Sequence, residues 1–461
     1  MFFSGYIDGR VLEIGGDKVA VKIGFVSLGC NKNLCDTENM MGILAESGFE
    51  ITPNPDDAQV VVVNTCGFIE SAKQESIDTI LEMAQYKEEK CRLLVVCGCL
   101  AQRYAEEIRA ELPEVDVILG TTAIEDIVTA VNDGLAGKKS TFIYDIDKNV
   151  CEDLPRIRTT AQHTAYLKIA EGCDNRCTYC AIPYIRGKYR SRSEESILAE
   201  AEALAQDGVK ELIVVAQDTT RYGIDLYGKK RLPSLLEKLC RISGIEWVRV
   251  HYCYPEEIDE ELIQVIKSED KIVKYLDIPV QHGSDSVLRR MGRKTSRKNI
   301  EALIKTLRRE IPDITLRTSI IAGFPGETQE EFSELCDFLE EVRFDRVGVF
   351  AYSCEEGTPA ARMDGQLDEE TKESRRDIVM ELSQKISLCR NQEQIGKVLT
   401  VITEGFEENL YYGRSSGESI EIDPKIYFGA HRELSSGDFA DVVIKNADVY
   451  DIYGEETERM E

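Results

Sequence analysis

The chain has 461 residues, too many for one ordinary hydrophobic core, so two or three domains are expected. No apolar run approaches the roughly 18 residues of a membrane span, and the first residues lack the basic, apolar and small-residue succession of a secretory signal, so a cytoplasmic protein with no membrane partner is expected. A formal net charge of −28 disfavours undirected binding to a phosphate backbone, and fifteen cysteines spread along a signal-free chain read as reduced thiols and metal ligands rather than disulfides.

Residues 1–20 carry no legible chemistry; a non-native extension is one reading and a small hairpin the other. Over 21–137, strand-like runs at 23–28, 60–64, 93–96 and 117–119 alternate with helical spacing at 34–47, 69–85 and 101–111. This is the pattern of an α/β domain built on an open parallel βα sheet with right-handed crossovers. The polar stretch 138–158, which contains Pro155, reads as a linker. A second βα alternation over 159–390 offers six strands, at 166–170, 211–216, 247–251, 275–279, 315–322 and 346–352. Six units fit a partial (β/α)6 barrel better than a complete eight-stranded one, with the working face at the carboxyl ends of the strands. A polar helix over 369–394 follows, and short β runs at 397–403, 411–414, 420–422, 441–444 and 449–453 predict a small antiparallel β-barrel within 391–458.

The first strand of the second alternation leads into Glu171-Gly-Cys-Asp-Asn-Arg-Cys-Thr-Tyr-Cys180, which places Cys173, Cys177 and Cys180 in a loop at a strand's carboxyl end. Three thiolates hold three irons of a 4Fe-4S cubane and leave the fourth open to an exogenous ligand such as the amino and carboxylate groups of S-adenosylmethionine (SAM). Structural zinc is the alternative, but it needs a fourth protein ligand, and no histidine or further cysteine stands nearby at the usual spacing. The CxxxCxxC motif with an aromatic, Tyr179, before its last cysteine resembles the radical SAM superfamily. The resemblance implies reductive cleavage of SAM to a 5′-deoxyadenosyl radical, with the protein supplying orientation and a dry site.

A second triad follows from topology. Cys30, Cys66 and Cys99 each end a parallel strand of the N-terminal domain, and in an open α/β sheet such ends share one crevice. Cys97 is the rival for the third position, but it belongs to the apolar run, whereas Cys99 stands at the turn before the next helix. The remaining cysteines, at 35, 91, 151, 240, 253, 336, 354 and 389, lack ligand spacing and read as buried or half-buried thiols. Ser27-Leu-Gly-Cys-Asn-Lys-Asn-Leu-Cys-Asp-Thr-Glu38, Asn64-Thr-Cys-Gly67 and Gly98-Cys-Leu-Ala-Gln102, together with the terminal barrel, resemble the methylthiotransferase family over 22–453, the barrel being similar to its TRAM domain. Ile182-Pro-Tyr-Ile-Arg-Gly187 and Ser191-Arg192 are similar to the branch acting on a ribosomal protein. Cys35 and Thr37 replace an expected valine and serine, and neither position is a ligand in the family.

What the resemblance implies is a central radical SAM barrel and two 4Fe-4S clusters, with SAM as cosubstrate. One cluster, on Cys173, Cys177 and Cys180, cleaves SAM, and the other, on Cys30, Cys66 and Cys99, holds the sulfur to be methylated and transferred. The implied reaction is β-methylthiolation of an aspartate in small-subunit ribosomal protein twelve, with sulfur- and electron-donating proteins as further partners. Acidic residues of the terminal barrel (Glu404, Glu407, Glu408, Glu418, Glu421, Asp423, Asp438 and Asp441) outweigh Lys397, Arg414, Lys425, Arg432 and Lys445. That balance favours a basic ribosomal protein and disfavours tRNA. Tyr411, Tyr412, Tyr427 and Phe428 allow base stacking, although strand aromatics more often fill a core. The alternatives are tRNA adenosine methylthiolation and a non-catalytic iron-sulfur redox or RNA-binding protein.

Strand position makes Gln217 and Asp218, Arg249 and His251, Gln281 to Ser284, and Arg317 polar candidates on the working face. Of these, Gln217, Gln281 and Arg317, with Tyr179, are the expected SAM contacts, packing or helix capping being the alternative for each. No catalytic acid or base is assigned. Gly323-Phe-Pro-Gly-Glu-Thr328 lacks the ending of a phosphate loop, and Thr328 with Glu331 reads as a capping box. His163 and His431 read as surface residues, and Glu369, Glu370 and Glu373 as a solvated helix face.

Overall fold

The computed structural model describes residues 11–14 and 17–457, and what is expected of residues 1–10 lies outside the described residues. The chain forms two compact units. One takes the residues up to Thr159 together with Lys168–Ser196 and Ser353–Ala361; the other takes Thr160–Leu167, Ile197–Tyr352 and Arg362 onward.

In the first unit Val11–Ile14 pairs antiparallel with Asp17–Ala20, the hairpin reading of this stretch. A six-stranded parallel sheet follows, in the spatial order Glu50–Ile51, Lys22–Ser27, Val60–Thr65, Leu93–Gly98, Val117–Leu119 and Thr141–Phe142. Helices cover both faces, which is why the strands read as continuous apolar runs. Val62, Val95 and Cys97 pack with Met40, Leu44 and Ile127 on one face, and Val61, Val63 and Val96 with Ile80 and Met83 on the other. Each of these fully buried valines contributes about 1.5–3 kcal/mol. The expected helix over 101–111 is two helices, Cys99–Arg103 and Ala105–Glu111, because Tyr104 leaves helical geometry at φ −130°. Within the stretch read as a linker, Thr141–Phe142 adds an edge strand. Farther on, Arg156 Nε and Thr159 Oγ1 donate to the buried carboxylate of Glu38, at 2.8 Å each.

The second unit holds six strands in the spatial order Thr164–Lys168, Glu211–Val215, Trp247–Val250, Ile272–Asp277, Thr315–Ala322 and Arg346–Ala351, an open (β/α)6 arrangement. The last residue of the first of these strands, Lys168, passes into the other unit. Helix Glu369–Gln392 then leads to a closed five-stranded barrel. Four of its pairings are antiparallel, and one, Ile426–Gly429 with Ile452–Glu456, is parallel. The run at 420–422 is not a strand. Glu421 sits at φ 68°, and the segment leads into Ile426–Gly429, which is the strand the sequence reading missed.

That segment has another role. Between 415 and 424 the barrel domain lies against the six-stranded sheet. The carbonyls of Ser415 and Ser416 accept from Arg249, Ser419 Oγ lies 2.8 Å from His251 Nε2, Asp423 accepts from Tyr275 Oη at 2.7 Å, and Glu418 pairs with Arg346 at 3.1 Å. Side chains that read as candidates for a working face therefore hold the barrel domain in place. His163, read as a surface residue, is buried, its ring packed against Gly437 and its Nδ1 3.2 Å from Ser436 Oγ; His431 is exposed as expected. Cys354 and Cys389 are exposed rather than buried.

Candidate functional site

The first cysteine triad is set by a short antiparallel pairing, Ala170–Glu171 with Arg190–Ser191, which closes the intervening residues into one loop. At its entrance Gly172 takes φ 80°, and a Cβ there would lie 2.0 Å from the Lys188 carbonyl oxygen, so a side chain at this position would break the turn. The Cys173 amide donates to Gly187 at 3.1 Å and the Cys180 amide to Cys177 at 3.0 Å. The Tyr189 amide donates to Asp174 at 3.2 Å, and the Thr178 carbonyl accepts the Ala360 amide at 2.9 Å. Cys173 and Cys177 are buried; Cys180 and Tyr179 are half-buried.

Three strand ends of the same unit bring Cys30, Cys66 and Cys99 together. The backbone at Gly29 runs so close to Cys66 that an added Cβ would meet its Cβ at 2.8 Å and its Sγ at 3.0 Å. Gly98, at φ 91° against the Asn64 side chain and the Thr65 carbonyl, turns the chain sharply, so that Cys99 opens the next helix while Cys97 stays in the core. Burial, with the neighbouring thiols of Cys99 and Cys30, pushes the Cys66 thiol up to about 12. Burial also raises that of Cys99, with Arg186 opposing it. Ligation at these sulfurs must therefore release protons.

Among the described residues no three cysteine, histidine or carboxylate side chains close on a single ion. The donor set is all sulfur in both triads, which fits the soft thiolate ligation of an iron-sulfur cluster.

Around the second triad lies a buried charge group that sequence reasoning missed. Arg186 donates to Cys99 Sγ at 3.4 Å, to Asp36 at 2.6 Å, to Glu171 at 3.1 Å and to Asn33 Oδ1. Lys168 pairs with Asp36 and, at 3.1 Å, with Glu171. Asn33 in turn donates to the carbonyls of Leu28 and Thr65, at 3.1 and 2.9 Å. Burial alone would lower the Arg186 guanidinium, but Cys99, Glu171 and Asp36 overcome it and hold the cation well above its usual value. The available signal was a lysine in the apolar strand leading to Cys173, which requires a buried partner.

In the second unit Gln217 follows strand Glu211–Val215 and is half-buried. Gln281 takes φ 73° and bridges to Ile320, beside the carboxyl half of its neighbouring strand. Arg317 differs from its expected placement. It stands near the amino end of Thr315–Ala322, and its guanidinium is held by Asp277 at 3.1 Å and Asp423 at 3.5 Å. His282 is buried between the Ser284 amide and Glu327, Arg249 is bound to Glu211, and Asp218 caps the turn that follows it. The capping box of Thr328 and Glu331 is present.

Residues 22–120 match the uncharacterized protein family UPF0004, residues 167–339 the radical SAM superfamily, and residues 395–456 the TRAM domain. The chain is 52% identical over 435 residues to the ribosomal protein uS12 methylthiotransferase RimO of Clostridium botulinum (strain Okra / Type B1), covering 94% of this chain and 98% of that one. It is 51% identical over 437 residues to the protein of the same name from Lachnoclostridium phytofermentans, with 94% and 99% covered. A solved structure of the radical SAM methyltransferase TsrM from Kitasatospora setae, bound to tryptophan and a SAM analog, covers 72% of each chain at a TM-score of 0.53 and 14% identity, a likeness of fold.

Proposed function

This chain belongs to the ribosomal protein uS12 methylthiotransferase family, and from that premise we propose that it adds a methylthio group to the β-carbon of an aspartate of protein uS12 in the cytoplasm. It is a transferase that carries two 4Fe-4S clusters and uses SAM. In this reading Cys173, Cys177 and Cys180 hold one cluster, and Cys30, Cys66 and Cys99 hold the other. SAM would supply the radical initiation and the transferred methyl group. Tyr179, Gln217 and Gln281 are the residues proposed to contact SAM, while Arg317 is already neutralised by two carboxylates. Separate proteins supply sulfur and electrons. The observation that carries the reading is the convergence of Cys30, Cys66 and Cys99 in the same compact unit as the Cys173 loop, since a generic radical initiator needs only the latter.

The test is anaerobic incubation of reconstituted enzyme with SAM, a reductant and a sulfur source, with uS12 and tRNA offered separately and each then weighed by mass spectrometry. A methylthio gain on uS12 is expected. A gain confined to tRNA would reject the proposed substrate while leaving the transferase chemistry intact.

A further inference from the structure

A buried cation, Arg186, stands beside the second triad. Arg186 is among the most deeply buried charges of its unit, and its fork reaches four acceptors drawn from both halves of the site. Glu171 lies two residues before Cys173, so one guanidinium ties the start of the first cysteine loop to a sulfur of the second triad. Lys168 and Arg186 together balance Asp36 and Glu171, and Arg186 is the one of the two cations whose second nitrogen also reaches the sulfur. We propose that Arg186 positions Cys99 and tunes the cluster held by Cys30, Cys66 and Cys99. By donating an N–H to the Cys99 sulfur and placing a positive charge beside it, Arg186 raises that cluster's reduction potential.

The physical basis is general. An electron added to a thiolate-ligated cluster increases its negative charge, and that charge is stabilised by hydrogen bonds to the sulfurs and by nearby cations in a dry site. A guanidinium suits this task better than an ammonium, because its planar fork serves Cys99 and Asn33 from one nitrogen while the other nitrogen binds Asp36 and Glu171. This inference rests on the reading that the second triad holds a cluster, and its test is independent of substrate and of methylthio transfer.

The full chain is prepared with Cys173, Cys177 and Cys180 changed to alanine, so that the second cluster alone gives an electron paramagnetic resonance signal. It is reconstituted anaerobically and titrated with mediators. Iron content in the presence of Arg186 checks the premise; no bound iron would overturn both the cluster assignment and this proposal. Arg186→Met combined with Asp36→Asn removes the cation and one carboxylate together, which keeps the buried charge balanced, and it is read against Asp36→Asn alone so that the effect of the lost carboxylate is subtracted. At a fixed potential its reduced-to-oxidised ratio is expected to fall at least about tenfold, equivalent to about 59 mV for a one-electron couple. Arg186→Lys keeps the charge and loses the fork, so it guards against a folding defect in the double variant, and an intermediate fall of about threefold is expected. An unchanged ratio in Arg186→Lys, or in the double variant with its cluster intact, overturns the proposal. A purely structural arginine would change iron yield and thermal stability without moving the potential of the cluster that remains.

Discussion

Cys97 and Cys99 stand two residues apart, yet Gly98 sends them to different places. Cys97 packs with Val95 and Leu119 in the core, whereas Cys99 lies under Arg186 among the strand ends. Cys99→Ala is therefore expected to lower the iron of the reconstituted enzyme from about eight toward about four per chain, the content of a single cubane. Cys97→Ala should keep the full content while lowering stability by about 1 kcal/mol or more through the cavity it leaves. Iron analysis beside thermal unfolding separates the two, and equal iron loss in both would undo the assignment of Cys99. A different residue governs acid stability. Burial alone would raise the Glu211 carboxyl, but Arg414 and Arg249 outweigh it and hold it down at about 2, against 4.5 when unpaired. Because the folded value is the lower one, the stabilisation is fully present above pH 4.5 and is lost as pH falls toward 2. Glu211→Gln leaves two buried guanidinium groups under-neutralised and is expected to cost about 3–5 kcal/mol. It should also flatten stability against pH over that window, as read by denaturant midpoints; a midpoint that still falls with acid as steeply as before would assign the acid sensitivity elsewhere.

Among the elements, the segment between 415 and 424 shows why part of the fold was legible and part was not. The parallel strands announced themselves because helices bury both faces, so that Val60–Thr65 and Leu93–Gly98 had to be apolar runs whatever else the chain did. The alternation of six βα units and the capping box at Thr328 are likewise local patterns. The 415–424 segment obeys partners far away in sequence. Its isoleucines suggested a strand, but Asp423 answers Tyr275 and Arg317, and Ser419 answers His251. Arg186, Lys168 and His163 escaped notice for the same reason, since a charged or polar residue reads as surface until the group that neutralises it is placed. The segment also carries a prediction. Asp423→Ala leaves Tyr275 Oη without its 2.7 Å acceptor and Arg317 with one carboxylate instead of two. A loss of about 1–3 kcal/mol in the denaturant unfolding of the full-length protein is expected. A loss below about 0.5 kcal/mol would mean that the segment merely rests against the sheet.

For the whole molecule the dominant number is the formal charge of −28, which any partner meets before it meets a side chain. The TRAM-like barrel does not reverse that sign: Glu407 neutralises Lys425 at 3.2 Å, and Glu456 neutralises Arg432 at 2.8 Å. A field of this sign reaches about 30 Å at 0.01 M salt and about 8 Å at 0.15 M, and its proposed role is to draw in the basic protein uS12. Substrate capture should therefore depend strongly on salt, whereas the chemistry inside a buried site should not. With uS12 as substrate, kcat/KM is expected to fall about tenfold or more between those two ionic strengths while kcat changes by less than about twofold. SAM cleavage measured without uS12 supplies the control, since it should be indifferent to salt over the same range. A kcat/KM that stays flat would remove charge as the means of recognition and shift the search for specificity to shape. A kcat that falls in step would place the salt sensitivity in the enzyme itself, at the buried ion pairs around Asp36, Lys168 and Arg186, rather than in the encounter.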